Sequence, residues 1–126
     1  MKIKRLIPII LFAMLFTGCA GGNYRQVSSE EAQRMMEEET GYLIVDVRTL
    51  EEYEERHILG AINIPNESIG TDEIALLPDK DQLIFVYCRS GHRSKEAAEK
   101  LVALGYKNVV EFGGINDWKG ETVREK

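Results

Sequence analysis

Gln82-Leu83-Ile84-Phe85-Val86-Tyr87-Cys88-Arg89-Ser90-Gly91-His92-Arg93-Ser94 is the segment on which the fold turns. Gln82 to Tyr87 is an almost unbroken apolar run that ends at a cysteine, the composition of a strand buried on both faces. From about Arg93 to Leu104, the apolar residues Ala97, Ala98, Leu101, Val102 and Leu104 return at helical spacing, and Gly105 supplies the stop. A buried strand that passes through a short loop into an amphipathic helix is a unit of α/β architecture. Cys88 stands where strand becomes loop.

The same alternation extends in both directions. Upstream, Tyr42 to Val47 repeats the buried-strand pattern, and Ser28 with Glu31 has the spacing of a capping box that opens a helix to about Glu39. Glu51 to Arg56 reads as a short charged helix, Ala61 to Ile64 as a strand closed by Pro65, and Glu67 to Leu77 as irregular or weakly helical. Downstream, Asn108 to Phe112 forms a last strand, Gly113-Gly114 a turn, and Ile115 to Lys119 a final helical turn with Trp118 packed inward. Apolar strands alternating with helices predict an α/β fold with a parallel central sheet flanked by helices on both faces. Ligands in such folds bind beyond the carboxyl ends of the strands, where Cys88 lies.

The loop from Cys88 to Ser94 concentrates what a nucleophilic sulfur needs. The thiolate is the attacking form, and it is favoured where backbone N–H groups and cations surround it. A helix N-terminus supplies free N–H donors and about half a positive charge. Gly91 lets the loop curl so that successive amides point inward, and the small polar Ser90 suits such a turn. Arg89 and Arg93 flank the sulfur and are able to fork onto a tetrahedral oxyanion. His92 lies inside the loop; its side chain either faces solvent or modestly tunes substrate affinity. A structural cysteine needs none of these neighbours, so Cys88 is read as catalytic, with Arg89, Ser90, Gly91, His92 and Arg93 as its substrate-binding surround.

Cys-Arg-Ser-Gly-His-Arg-Ser resembles the active-site loop of the rhodanese family in its thiosulfate-type form. The likeness covers nearly all of the chain beyond its first residues. Leu43 to Arg48 resembles the family's first strand and Asp-x-Arg signature, followed by the acidic Glu51-Glu52-Tyr53. His57 to Pro65 resembles a second signature, and Gly105-Tyr106 through Gly113-Gly114-Ile115-Asn116-Asp117-Trp118 a carboxyl-terminal one. The resemblance implies a rhodanese-like fold and a ping-pong sulfur transfer. Cys88 would take sulfane sulfur from a small anionic donor such as thiosulfate, hold it as a persulfide, and pass it to cyanide or a thiol, a protein acceptor included. Arg89 and Arg93 would hold the donor's sulfonate, and the amides of Ser90 to Arg93 would cradle the transferred sulfur. No metal or organic cofactor is implied. Asp46 and Arg48 are expected to be structural, Arg48 bridging to the Glu51-Glu52 segment and Asp46 bonded to nearby backbone, because half-buried charges are usually paired. His57 is expected to make a structural hydrogen bond.

The amino terminus reads as an address. Lys2, Lys4 and Arg5 form a basic head, Leu6 to Phe16 an apolar run, and Thr17-Gly18 a small-residue exit, the layout of an export signal over residues 1–18. The run is shorter than the roughly 20 apolar residues that span a bilayer. Phe16-Thr17-Gly18-Cys19 resembles the lipobox of bacterial lipoproteins, which implies lipidation of Cys19, a tether over residues 19–24 and a domain over residues 25–126. The expected location is outside the cytoplasm, on the extracytoplasmic or periplasmic face of an envelope membrane and held there by lipid. With Cys19 so committed, Cys88 has no partner for an intramolecular disulfide.

The whole chain carries 16 Lys and Arg against 21 Asp and Glu, a formal net charge of −5, and the removal of residues 1–18 would make it more acidic still. That balance argues against nucleic acid as a partner. It also means that an anion site must be built from local positive groups.

Two rival functions share the same loop. A cysteine phosphatase or arsenate reductase encircles its oxyanion with a loop one residue longer; here Arg93 lies five positions beyond Cys88 and Ser94 follows, so the ring is too short to wrap a phosphate. A non-catalytic persulfide carrier or interaction module would use the same residues, and the sequence separates it poorly from an enzyme.

Overall fold

The structure, a computed structural model, describes residues 23–125. The export segment 1–18, Cys19 and the first part of the tether lie outside the described residues. The elements in chain order are β1 (Arg25–Gln26), α1 (Ser29–Glu38), β2 (Leu43–Asp46), α2 (Leu50–Glu55), β3 (His57–Ile58), β4 (Ile62–Asn63), β5 (Leu83–Cys88), α3 (His92–Ala103), β6 (Asn108–Gly114) and β7 (Thr122–Val123). Short 3₁₀ turns occupy Asn66–Ser68 and Ile115–Asp117.

Five strands form a wholly parallel sheet in the order β1-β6-β5-β2-β4, with β5 near its middle. Side chains of successive strand residues point to opposite faces, and each face has its own apolar layer. Val45, Val47, Ile84, Val86, Cys88 and Val109 pack with Ala97, Ala98 and Leu101 of α3. Ile44, Phe85, Tyr87, Val110 and Phe112 pack on the other side with Ala32 of α1, Ile58 and Ile115. The aromatic rings of Phe85, Tyr87 and Trp118 surround Phe112 with centroids 5.5 to 6.2 Å away. Leu101 is wholly buried, a contribution of about 1.5–3 kcal/mol for one side chain. The expected sheet with helices on both faces is therefore what forms, and Trp118 does pack inward.

Three expectations need correction. First, β6 runs on through Gly113 and Gly114 where a turn was expected. Gly114 pairs with Cys88 after a register shift between Val86 and Cys88, and Gly113 absorbs the irregularity at φ 90°. Second, a two-stranded antiparallel ribbon of β3 and β7 was not foreseen, because two-residue strands carry no periodic signal. Third, only half of the expected capping box forms at Ser28. Its hydroxyl accepts from the Glu31 amide at 3.0 Å, but the Glu31 carboxylate turns to Arg34. The reciprocal box lies at Thr49 and Glu52 instead, with Thr49 N donating to Glu52 Oε1 at 3.0 Å and Glu52 N donating to Thr49 Oγ1 at 3.2 Å. That box fixes the Glu52 side chain at the start of α2.

Candidate active site

Cys88 is the last residue of β5, and Gly91 is the N-cap of α3, so only Arg89 and Ser90 separate strand from cap. So short a connection requires a sharp reversal, and Gly91 makes it at φ 115°, a conformation that costs an L side chain roughly 1–2 kcal/mol. The reversal aims the Gly91 N–H at the Cys88 Sγ, 3.0 Å away. Cys88 is 1% exposed, while Arg89 and Ser90, which follow it at the outer rim of the loop, are exposed.

Behind the sulfur lies a second set of groups. Ser94, in the first turn of α3, places its hydroxyl 3.4 Å from Cys88 Sγ and 2.5 Å from Glu111 Oε2. Glu111, on β6, is 1% exposed. Its carboxylate also accepts from Gly113 N at 2.8 Å and Gln26 Nε2 at 3.3 Å. The carboxyl-terminal signature backs the loop closely: a Cβ at Gly114 would lie 1.9 Å from the Arg89 carbonyl oxygen, and Asn116 N donates to that same oxygen at 3.3 Å.

At the rim, both arginines grip one carboxylate. Arg93 donates to Glu52 Oε1 at 2.8 Å and to Oε2 at 3.2 Å, while Arg89 Nη2 donates to Oε2 at 2.9 Å. The Arg93 hydrogen bond, aided by Thr49 N and Arg89, outweighs partial burial and holds the Glu52 carboxyl far below the usual carboxylate range. Arg93 is raised in turn, first by Glu52. The two guanidinium groups thus already form a carboxylate receptor.

The remaining predicted residues are placed as follows. Asp46 and Arg48, 0% and 4% exposed, pair with each other, Arg48 Nη2 to Asp46 Oδ2 at 2.7 Å. Arg48 does not bridge to Glu51 or Glu52, which corrects the sequence expectation; Asp46 lies two residues away and shares its buried environment. Tyr87 O–H also donates to Asp46 at 2.6 Å and accepts from Ile58 N, and burial followed by Asp46 pushes the phenol up. This cluster lies on the sheet face opposite Cys88 and ties β2, β3 and β5 together. His57 is buried, stacked on Tyr53 at 3.8 Å, with Nδ1 2.8 Å from the Tyr53 carbonyl oxygen. The His92 side chain faces solvent at 85% exposure, so only its backbone belongs to the loop. Among the described residues, no cluster of His, Cys, Asp and Glu could hold a metal ion.

Sequence reasoning missed Glu52, Ser94, Glu111 and Gly114. Two had a readable signal. Thr49 and Glu52 have capping-box spacing, and Glu111 is a lone charge in the apolar run Val109-Val110-Glu111-Phe112, where an acid requires a partner.

Residues 28–121 match the rhodanese-like domain family. The thiosulfate sulfurtransferase PspE of Escherichia coli strain K12 is 40% identical over 73 residues, covering 58% of this chain and 70% of that protein. The putative sulfur carrier protein YrkF of Bacillus subtilis strain 168 is 33% identical over 98 residues, covering 77% of this chain but only 52% of that protein. A solved structure described as a rhodanese with anions from E. coli superposes with a TM-score of 0.61 at 38% identity, covering 66% of this chain and 98% of that one. The parallel sheet, the cysteine at the end of its central strand and these matches lead to one conclusion: the chain belongs to the rhodanese-like domain family.

Proposed function

We propose that this protein is a thiosulfate-type sulfurtransferase that works through a Cys88 persulfide. The observation that carries the reading is the strand-ending sulfur with the Gly91 amide 3.0 Å away and two arginines poised at the rim. In the loading step, the Cys88 thiolate attacks the outer sulfur of thiosulfate. The S–S bond of the donor breaks, and sulfite leaves with its bonding pair. In the discharge step, cyanide or a thiolate attacks the terminal sulfur of the persulfide, and Cys88 departs as the thiolate. Arg89 and Arg93 bind the donor's sulfonate in place of Glu52, and the loop amides stabilise the terminal sulfur anion. Because Cys88 is 1% exposed, the groups that cover it must move for a donor to reach it.

The test is intact mass spectrometry after exposure to thiosulfate. One added sulfur is expected on the native protein and none on Cys88→Ser; an unmodified native protein would refute the reading. Multiple-turnover thiocyanate release with cyanide then tests catalysis. A second reading, a carrier that delivers its persulfide to a partner protein, draws on the similarity to YrkF, named a putative sulfur carrier. A stable persulfide with negligible turnover would favour it.

We further propose export and lipid attachment at Cys19, supported by the basic head, the apolar run and the Thr17-Gly18-Cys19 exit. Two or more acyl chains would anchor it stably, since one chain alone gives only reversible binding. Membrane fractionation of the expressed protein against Cys19→Ala tests this. An equal distribution of the two would overturn it.

A further inference from the structure

Glu111 is a buried carboxylate without a cation. It is 1% exposed, and among the described residues no salt bridge reaches it. A buried acid is costly unless its charge is answered or shared. The donors it has are neutral: Gly113 N, Gln26 Nε2 and the Ser94 hydroxyl. The last of these is also the group that meets Cys88 Sγ, at 3.4 Å.

We infer that Glu111 is the proton acceptor for Cys88, acting through the Ser94 hydroxyl, so that thiol and carboxyl share one proton. In the transfer, the S–H bond breaks as a new O–H bond forms on Ser94 Oγ, and the original Ser94 O–H proton moves to Glu111 Oε2. One proton passes from sulfur to carboxylate, and no other reactant takes part. The thiolate keeps the Gly91 N–H and gains the Ser94 O–H as donors. Glu111 meets neither sulfur donor nor sulfur, so it is a positioning residue for the proton.

The site is arranged for a proton to move inward. Cys88 is sealed at 1% exposure, which hinders direct loss to solvent, and Ser94 Oγ is 2.5 Å from Glu111 Oε2. The two acidic groups face each other across a single hydroxyl, both 1% exposed. The charged and titratable groups around the pair are few. From the β1 side come Gln26 and the Tyr24 phenol, which is raised by burial and by Glu99 and Glu111. From α3 come Ser94 and, at the rim, Arg93; from the loop comes Arg89; from α2 comes Glu52, bonded to both arginines. The α1 residues buried against the sheet, Ser29 and Ala32, carry no charge.

This inference names a role within the proposed persulfide chemistry, but its test uses no sulfur donor, so the two stand or fall separately. The thiolate absorbance of the reduced protein, taken as the difference from Cys88→Ser, is followed across pH. Two interacting acids titrate in two macroscopic steps. A rise in two stages with a plateau between them is expected for the native protein, and a single stage of full amplitude for Glu111→Gln. Superimposable single-stage curves for the two proteins overturn the inference. A second measurement avoids the Glu111 variant. The infrared carbonyl band of a protonated carboxyl is expected at neutral pH in the native protein and weaker in Cys88→Ser, whose hydroxyl has no readily lost proton to give. Equal bands in the two also overturn it. Persulfide formation from thiosulfate, read by mass on the same samples, reports independently on the sulfurtransferase reading.

Discussion

Replacement of Glu52 by glutamine is expected to tighten the binding of an anionic sulfur donor. On the proposed mechanism, a sulfonate has to displace the Glu52 carboxylate, which already occupies both arginines. The Arg93 fork, at 2.8 and 3.2 Å with a side chain 30% exposed, is the stronger part. Arg89 is 55% exposed and adds little, because solvent screens exposed pairs. Glutamine removes the charge but keeps an oxygen for Thr49 N, so the start of α2 is retained. The competition lost is then about 1–1.4 kcal/mol, the difference between a charge-assisted and a neutral hydrogen bond at a half-exposed site. That corresponds to a fall of about five- to tenfold in the apparent KM for thiosulfate. The assay is thiocyanate formation at varied thiosulfate and saturating cyanide, with kcat expected to stay within about twofold because Glu52 does not touch the sulfur. An unchanged or increased KM would refute the reasoning and make Glu52 a holder of the arginines in their binding posture.

Gly114→Ala places a Cβ 1.9 Å from the Arg89 carbonyl oxygen and 2.6 Å from Ser90 N, both backbone atoms of the active loop. The loop must shift, so a loss of at least about 2 kcal/mol in urea unfolding and a fall of at least about tenfold in the rate of persulfide formation are expected. Asp46→Asn leaves Arg48, only 4% exposed, without its anion. A drop of about 3–5 kcal/mol by urea denaturation is expected, and a change below about 1 kcal/mol would refute the buried ion pair. The Glu52 carboxyl is depressed in the folded state, first by Arg93, so its stabilising contribution is present above the ordinary carboxylate value of about 4.3 and is lost as pH falls from there toward the folded value. Unfolding free energy measured below about pH 4 is therefore expected to fall less steeply in Glu52→Gln than in the native protein; parallel slopes would contradict this.

Much of the fold was legible because its signals are local and strong. Leu83 to Cys88 is apolar without interruption, and Ala97, Ala98 and Leu101 repeat at helical spacing, so strand and helix follow from side-chain chemistry alone. The β3–β7 ribbon was not legible, since each strand is two residues long and its stability comes from pairing across more than sixty positions of sequence. The turn expected at Gly113-Gly114 failed for a related reason: glycine permits a turn but does not require one, and the pairing of Gly114 with Cys88 decided for strand.

By itself, the sequence determined the parallel α/β fold, the place of Cys88 at a strand end and the cationic character of its loop, all of which are properties of contiguous residues. Only the tertiary structure decided which charges meet. It gave Arg48 to Asp46, set Glu52 between Arg89 and Arg93, faced His92 outward, and brought Ser94 and Glu111 behind the sulfur. The physical reason is that pairing among charges depends on distance in space and on burial. Both are fixed by how β6 packs beside the central strand and how α2 sets Glu52 against the loop that follows it, and neither is written in the spacing of residues along the chain.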